Sequence, residues 1–112
     1  MPKGQDQVVE AAGLCRRAAE KLKASADNVD PSACTRLESL AGRLEAMRDR
    51  FFVKMAPALR YTSACLSAAS EIEAAIGREG AASDLDERLT ALDGAVKALE
   101  GKANAPGSVT IT

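Results

Sequence analysis

RDRFFVKMAPALRY, residues 48–61, holds all three aromatic rings of this 112-residue chain, Phe51, Phe52 and Tyr61, together with Pro57, a proline set in an otherwise helical rhythm. Whether the chain passes straight through this stretch or turns back on itself decides the fold. Upstream, Ala33, Leu37, Leu40, Leu44, Met47 and Phe51 recur at steps of four and three, the strongest periodic signal in the sequence. Downstream, Ala58, Tyr61, Cys65, Ala68, Ile72 and Ala75 continue in the same phase, apart from Lys54 at the join. A single helix over residues 31–76 satisfies that phase but must bend at Pro57, because a proline inside a helix costs about 3 kcal/mol or more. A reversal near Met55 and Ala56, with Pro57 opening a new helix, is the other reading, although no Gly or Asn is there to ease the turn.

The flanking segments are helical too. Over residues 5–26, Val8, Ala12, Cys15, Ala19, Leu22 and Ala26 form one stripe. Residues 27–30 read as a turn, after which Asp30 and Pro31 suit the N-cap and first position of the second helix. GREG at 77–80 breaks the pattern, Ser83 is a candidate N-cap, and Leu85, Leu89, Leu92, Val96 and Leu99 make the last stripe before Gly101, placed to end it. Four segments of similar length predict an all-α fold, an antiparallel bundle of three to four helices; the alternative is one long helix kinked at Pro57 and flanked by two shorter ones. Residues 1–102 form a single helical domain in this reading. Residues 103–112 form a disordered tail, in which the alternation over 108–112 would also suit pairing with a partner's sheet edge.

Composition excludes much chemistry. The apolar residues are mostly Ala and Leu, which favours helix over strand. There is no histidine, so Ser-His-Asp and Cys-His nucleophilic sites and His-containing metal sites are impossible. Cys15, Cys34 and Cys65 are odd in number and widely spaced, which suits small core residues in a reducing compartment better than a disulfide framework or a zinc site. No phosphate-cradling glycine motif occurs. Glu71 and Glu73 fall on different sides of a helix, and Asp84, Asp86 and Glu87 suit a first helical turn. The expectation is therefore a non-enzyme with no catalytic residue, no metal ligand and no cofactor. No stretch approaches the roughly 20 apolar residues that cross a bilayer, and the first residues have no signal-peptide core, so the expected partner is not a membrane and the expected location is cytoplasmic.

Net charge is −1, but residues 1–60 carry 11 basic and 8 acidic side chains while residues 61–112 carry 4 and 8. The charges fall in heptad ladders. With Leu37 and Leu44 at position a, Arg36, Arg43 and Arg50 all fall at g; on the last helix Asp86, Asp93 and Glu100 all fall at e; on the first, Arg16 and Lys23 fall at e. In an up-down-up-down bundle whose first and last helices are antiparallel neighbours, Arg16 and Lys23 face Asp86, Asp93 and Glu100. The Arg36, Arg43 and Arg50 ladder then has no internal match.

The aromatic stretch supplies the functional expectation. Phe51 and Tyr61 lie in core phase, whereas Phe52, Val53, Leu59 and Leu66 lie outside it. These four, rimmed by Arg48, Arg50 and Arg60, make a second apolar face of the kind that interface hot spots favour. The expected function is a small helical interaction protein (adaptor, inhibitor or chaperone-like) that self-associates as a homo-oligomer or binds a protein partner through that face. The alternative is a binding module in which Arg36, Arg43, Arg50 and Tyr61 hold a phosphate-bearing ligand, a nucleotide or nucleic acid.

Overall fold

The computed structural model describes residues 3–24, 31–76 and 85–104. The expected turn at 27–30, the N-caps Asp30 and Ser83, the break at 77–80 and the tail beyond Asn104 lie outside them. Among the described residues four α-helices form: α1 (Lys3–Ala24), α2 (Pro31–Met47), α3 (Leu59–Ile76) and α4 (Leu85–Asn104). The chain is a four-helix bundle, and the long kinked helix is not formed. Helix α4 runs through Gly101 and ends a turn later than expected.

The stripes read from the sequence make the core. On α2, Leu37, Leu40, Leu44 and Met47 are buried; on α4, Leu85, Leu89, Leu92, Val96 and Leu99 are buried. On α1 the buried face is wider than the expected stripe, because Ala11, Leu14 and Ala18 join Val8, Ala12, Cys15 and Ala19. The reason is that α1 packs against both α2 and α3, and its alanines let two neighbours approach on adjacent sides. On α3 the buried line runs through Thr62, Cys65, Ala69, Ile72 and Ala75, with Tyr61 and Ala68 half-buried at its edge.

Between α2 and α3 the chain reverses without glycine or asparagine. It drops from i→i−4 to i→i−3 hydrogen bonding: Arg48 N donates to Glu45 O, Arg50 N to Met47 O, Val53 N to Arg50 O, Lys54 N to Phe51 O and Ala58 N to Met55 O, at 3.0–3.1 Å. Two short 3₁₀ turns result, Phe52–Lys54 and Ala56–Ala58, hinged at Met55, which is extended at φ −95° and ψ 149°. Pro57 sits at the start of the second turn, where its missing N–H costs nothing. Phe51 was expected in the core because the α2 stripe extrapolates to it. The α-helix stops at Met47, the phase is lost, and Phe51 turns outward, 69% exposed. Val53, expected on the outer face, instead plugs the end of the core at 1% exposure.

This connector crosses the end of the bundle and sets which helices are neighbours. Helix α1 packs on α2 and α3, and α4 packs on α3 and α2, whereas α2 and α3, consecutive in the chain, sit on opposite corners. The hairpins α1–α2 and α3–α4 are antiparallel within themselves, but α1 runs parallel to α3 and α2 parallel to α4. Contacts at both ends fix the first parallel pair: Thr62 and Ser63 hydroxyls donate to Gln7 Oε1 near the helix starts, and Lys21 meets Glu73 at 2.8 Å near their ends.

The connector presses on α1 at one point. A Cβ on Gly4 would collide with the Val53 carbonyl oxygen, a backbone atom that cannot move aside cheaply. By contrast, Gly42 and Gly94 have open space around the added atom. Gly4→Ala is therefore expected to destabilise the protein by about 1–3 kcal/mol in urea unfolding, although alanine is the better helix former. Gly42→Ala and Gly94→Ala are expected to stabilise it by about 0.4–1 kcal/mol. A stabilising Gly4→Ala would mean that the connector does not lie against α1.

Candidate interaction surface

Parallel packing of α2 and α4 brings the two ladders face to face. Arg36 Nη1 meets Asp86 Oδ1 at 2.7 Å and Arg43 Nη1 meets Asp93 Oδ1 at 2.7 Å, the same seven-residue step on both helices. Arg43 also grips Glu100 with both oxygens, Nε at 3.1 Å and Nη2 at 2.7 Å. Arg50 lies beyond the end of α2 and cannot continue the register. Its Nη2 donates instead to the Ala103 carbonyl at 3.3 Å, in the last turn of α4, where a cation suits the helix dipole.

The expectation that Arg16 and Lys23 face these acids is corrected. Helices α1 and α4 are not packed neighbours, and Arg16 pairs with Glu45 and Lys23 with Glu38, both on α2, at 2.6 Å. Since Arg36 and Arg43 are answered by carboxylates and Arg50 by a carbonyl, a phosphate-bearing ligand would have to displace acids to reach them. Tyr61 is not beside them; its ring packs on Phe52, centroids 5.9 Å apart and tilted by 58°.

The residues expected to meet a partner divide into two sets. Phe52, Leu59 and Leu66 are half-buried, and Phe52 and Leu66 lean on the core. Val53 is buried and leaves the surface. Arg48, Arg50 and Arg60 are exposed around the connector, joined by Lys54. Among the described residues, the large apolar side chains most open to water are Phe51, Met55 at 41% and Val9 at 44%. Phe51 and Met55 are the functional candidates that the sequence reading missed. Pro57 and the absence of a helix beyond Met47 were the signal for them, since a stripe cannot be extended past the end of its helix.

Beside the connector lies an open groove of about 560 Å³, lined by Gln5, Asp6, Val9, Glu10, Arg48 and Asp49. Gln5 closes its floor by donating to the Arg48 carbonyl at 2.7 Å. The cysteines offer no site there. All three are buried and free, and burial pushes the thiols of Cys15 and Cys65 up to about 12, too high for a useful thiolate near neutral pH. Among the described residues, no three potential metal ligands cluster, and no helix is long and apolar enough to cross a membrane. Comparison with protein-family models, curated proteins and solved structures found no match.

The ion pairs make stability depend on acid. A hydrogen bond from Arg43 holds Asp93 below its ordinary 3.8, and bonds from Arg16 and Lys21 hold Glu45 and Glu73 below 4.5. Carboxylates depressed by folding contribute stability that is complete above their unfolded values and is lost as pH falls through the folded ones. Thermal midpoints are therefore expected to be level above about pH 5 and to fall below about pH 4, and Asp93→Asn should flatten part of that fall. Arg43→Ala, which removes the partner of Glu100 and leaves Asp93 with Lys97 alone, is expected to cost about 1 kcal/mol. A midpoint that does not change between neutral pH and pH 3 would contradict the pairing.

Proposed function

We propose that the protein is a non-enzymatic binding module whose helical bundle is a scaffold for the α2–α3 connector, and that the connector end docks a protein, either a second copy or a different chain. Adaptor, inhibitor and chaperone-like roles all fit such a surface. The observation that carries the reading is the exposure of Phe51 and Met55 within one chain reversal, while among the large apolar residues of the neighbouring helices only Val9 is comparably open. Exposed aromatic and thioether side chains ringed by arginine have the composition of binding hot spots. Phe52 tilted against Tyr61 and the buried Val53 anchor the connector to the bundle, so little backbone entropy is lost on binding. Three buried free thiols suit a reducing cytoplasm.

The test separates folding from binding. Because Phe51 and Met55 are exposed, aspartate at both positions should change stability by no more than about 0.5 kcal/mol. Sedimentation equilibrium would detect dimerisation of the wild type, and partners captured from cells would be identified and reconstituted from purified components. The double variant is expected to weaken whichever association is found by about 30-fold or more. An association that survives both substitutions unchanged would place the interface elsewhere on the bundle.

A further inference from the structure

The charges around the connector differ from those along the helices. In the body of the bundle most cations are answered: Arg16 by Glu45, Lys21 by Glu73, Lys23 by Glu38, Arg36 by Asp86, Arg43 by Asp93 and Glu100, and Lys97 by Asp93, with the exposed Arg17 as an exception. At the connector end the pattern lapses. Lys54 and Arg60 form no ion pair among the described residues, and both are exposed. Arg48 has only its chain neighbour Asp49, at 3.6 Å, and remains 57% exposed. Arg50 is spent on a neutral carbonyl. Lys102 lies exposed in the last turn of α4 beside it. Residues 48–60 thus set four cations and one acid around Phe51 and Met55.

We propose that the connector end binds an acidic amphipathic segment of another protein, whose apolar side covers Phe51 and Met55 and whose carboxylates meet Lys54, Arg60 and Arg48. This rests on the docking role proposed above and adds the chemistry of the partner. Charge complementarity favours this occupant over a second copy, because an acidic segment meets Arg48, Lys54 and Arg60 without adding cations, whereas a second copy would bring four more cations in residues 48–60 beside its few acids. It also disfavours an anionic bilayer. Asp6, Glu10 and Asp49 line the groove immediately beside Arg48 and would face the lipid headgroups, whereas a peptide can lay an uncharged or basic residue there. Val9, exposed on α1, lines the same groove.

The experiment uses the full-length protein as bait for a library of displayed random peptides, selected on the wild type and deselected on Phe51→Asp/Met55→Asp. A third bait, Lys54→Glu/Arg60→Glu, alters two exposed cations and leaves the apolar pair in place; circular dichroism confirms that each variant is folded. The expected pool is acidic with aromatic or aliphatic anchors, and synthetic peptides from it bind the charge-reversed protein about tenfold or more weakly than wild type. Raising the salt concentration should narrow that difference. A neutral or basic pool that still requires Phe51 overturns the acidic partner and leaves the docking end standing. So does Phe51-dependent binding to phosphatidylserine vesicles or to a single-stranded oligonucleotide with no peptide enriched. If no peptide is enriched over the Phe51→Asp/Met55→Asp bait, neither vesicles nor oligonucleotide bind, and the wild type sediments as a monomer, both the partner class and the docking end fail.

Discussion

Pro57 has no backbone N–H to give, and its ring clashes with an α-helical turn in the residues before it. In a chain whose apolar rhythm runs from Ala33 to Ala75 with only Lys54 out of character, that one residue places the choice between a bent rod and a folded bundle. The bundle wins because a rod would leave the stripes of α2 and α3 half-covered, whereas reversal lets all four stripes share one core. The reversal is made from 3₁₀ turns rather than from a glycine turn, and its cost is offset by what it buries. Val53 alone, removed from water at the core's end, contributes roughly 1.5–3 kcal/mol. Gly4 on α1 admits the connector backbone at a distance that any larger residue would forbid.

Crossing the end of the bundle has a second consequence. It sends α3 to the far side of α1 rather than beside α2, so that α2 and α4 become parallel neighbours. In parallel helices the g positions of one meet the e positions of the other. Arg36 and Arg43 at g then meet Asp86, Asp93 and Glu100 at e in a single register. Partly exposed pairs of this kind add little energy singly. Their value is in specificity, since a topology with α1 against α4 would leave the arginine ladder unanswered and the acids facing the wrong cations. Core packing decides that a bundle forms, and the ladder helps to select which bundle.

Much of this was legible in the residues. The leucine stripes of α2 and α4 named the core correctly, and the ladders were visible at their seven-residue spacing. What periodicity could not supply was which helices are neighbours, because a heptad label says which side a residue is on and not what lies opposite. The same limit misplaced the aromatics. Phe51 was read as core and Val53 as surface by extending a helical phase through six residues that are not α-helical. Phe52 and Tyr61 are related by a ring contact across the turn, which no helical spacing encodes. In the stretch read as a second apolar face, the residues most open to water are Phe51 and Met55, while Val53 is buried and Phe52 half-buried.

The reversal at the connector underlies the neighbour relations, the matched ladder and the surface at the bundle's end, and it is directly measurable. Thr35 on α2 and Ser70 on α3 are both exposed, and the native thiols are buried, so nitroxide labels can be attached to cysteines introduced at these two positions. Pulsed electron–electron resonance is expected to give a single distance distribution centred below about 35 Å, since facing helix axes in a bundle lie about 8–10 Å apart and diagonal ones only slightly farther. A distribution near 50 Å, the length of about 35 residues of continuous helix at 1.5 Å each, would mean that the chain runs on through Pro57 and that this fold is wrong.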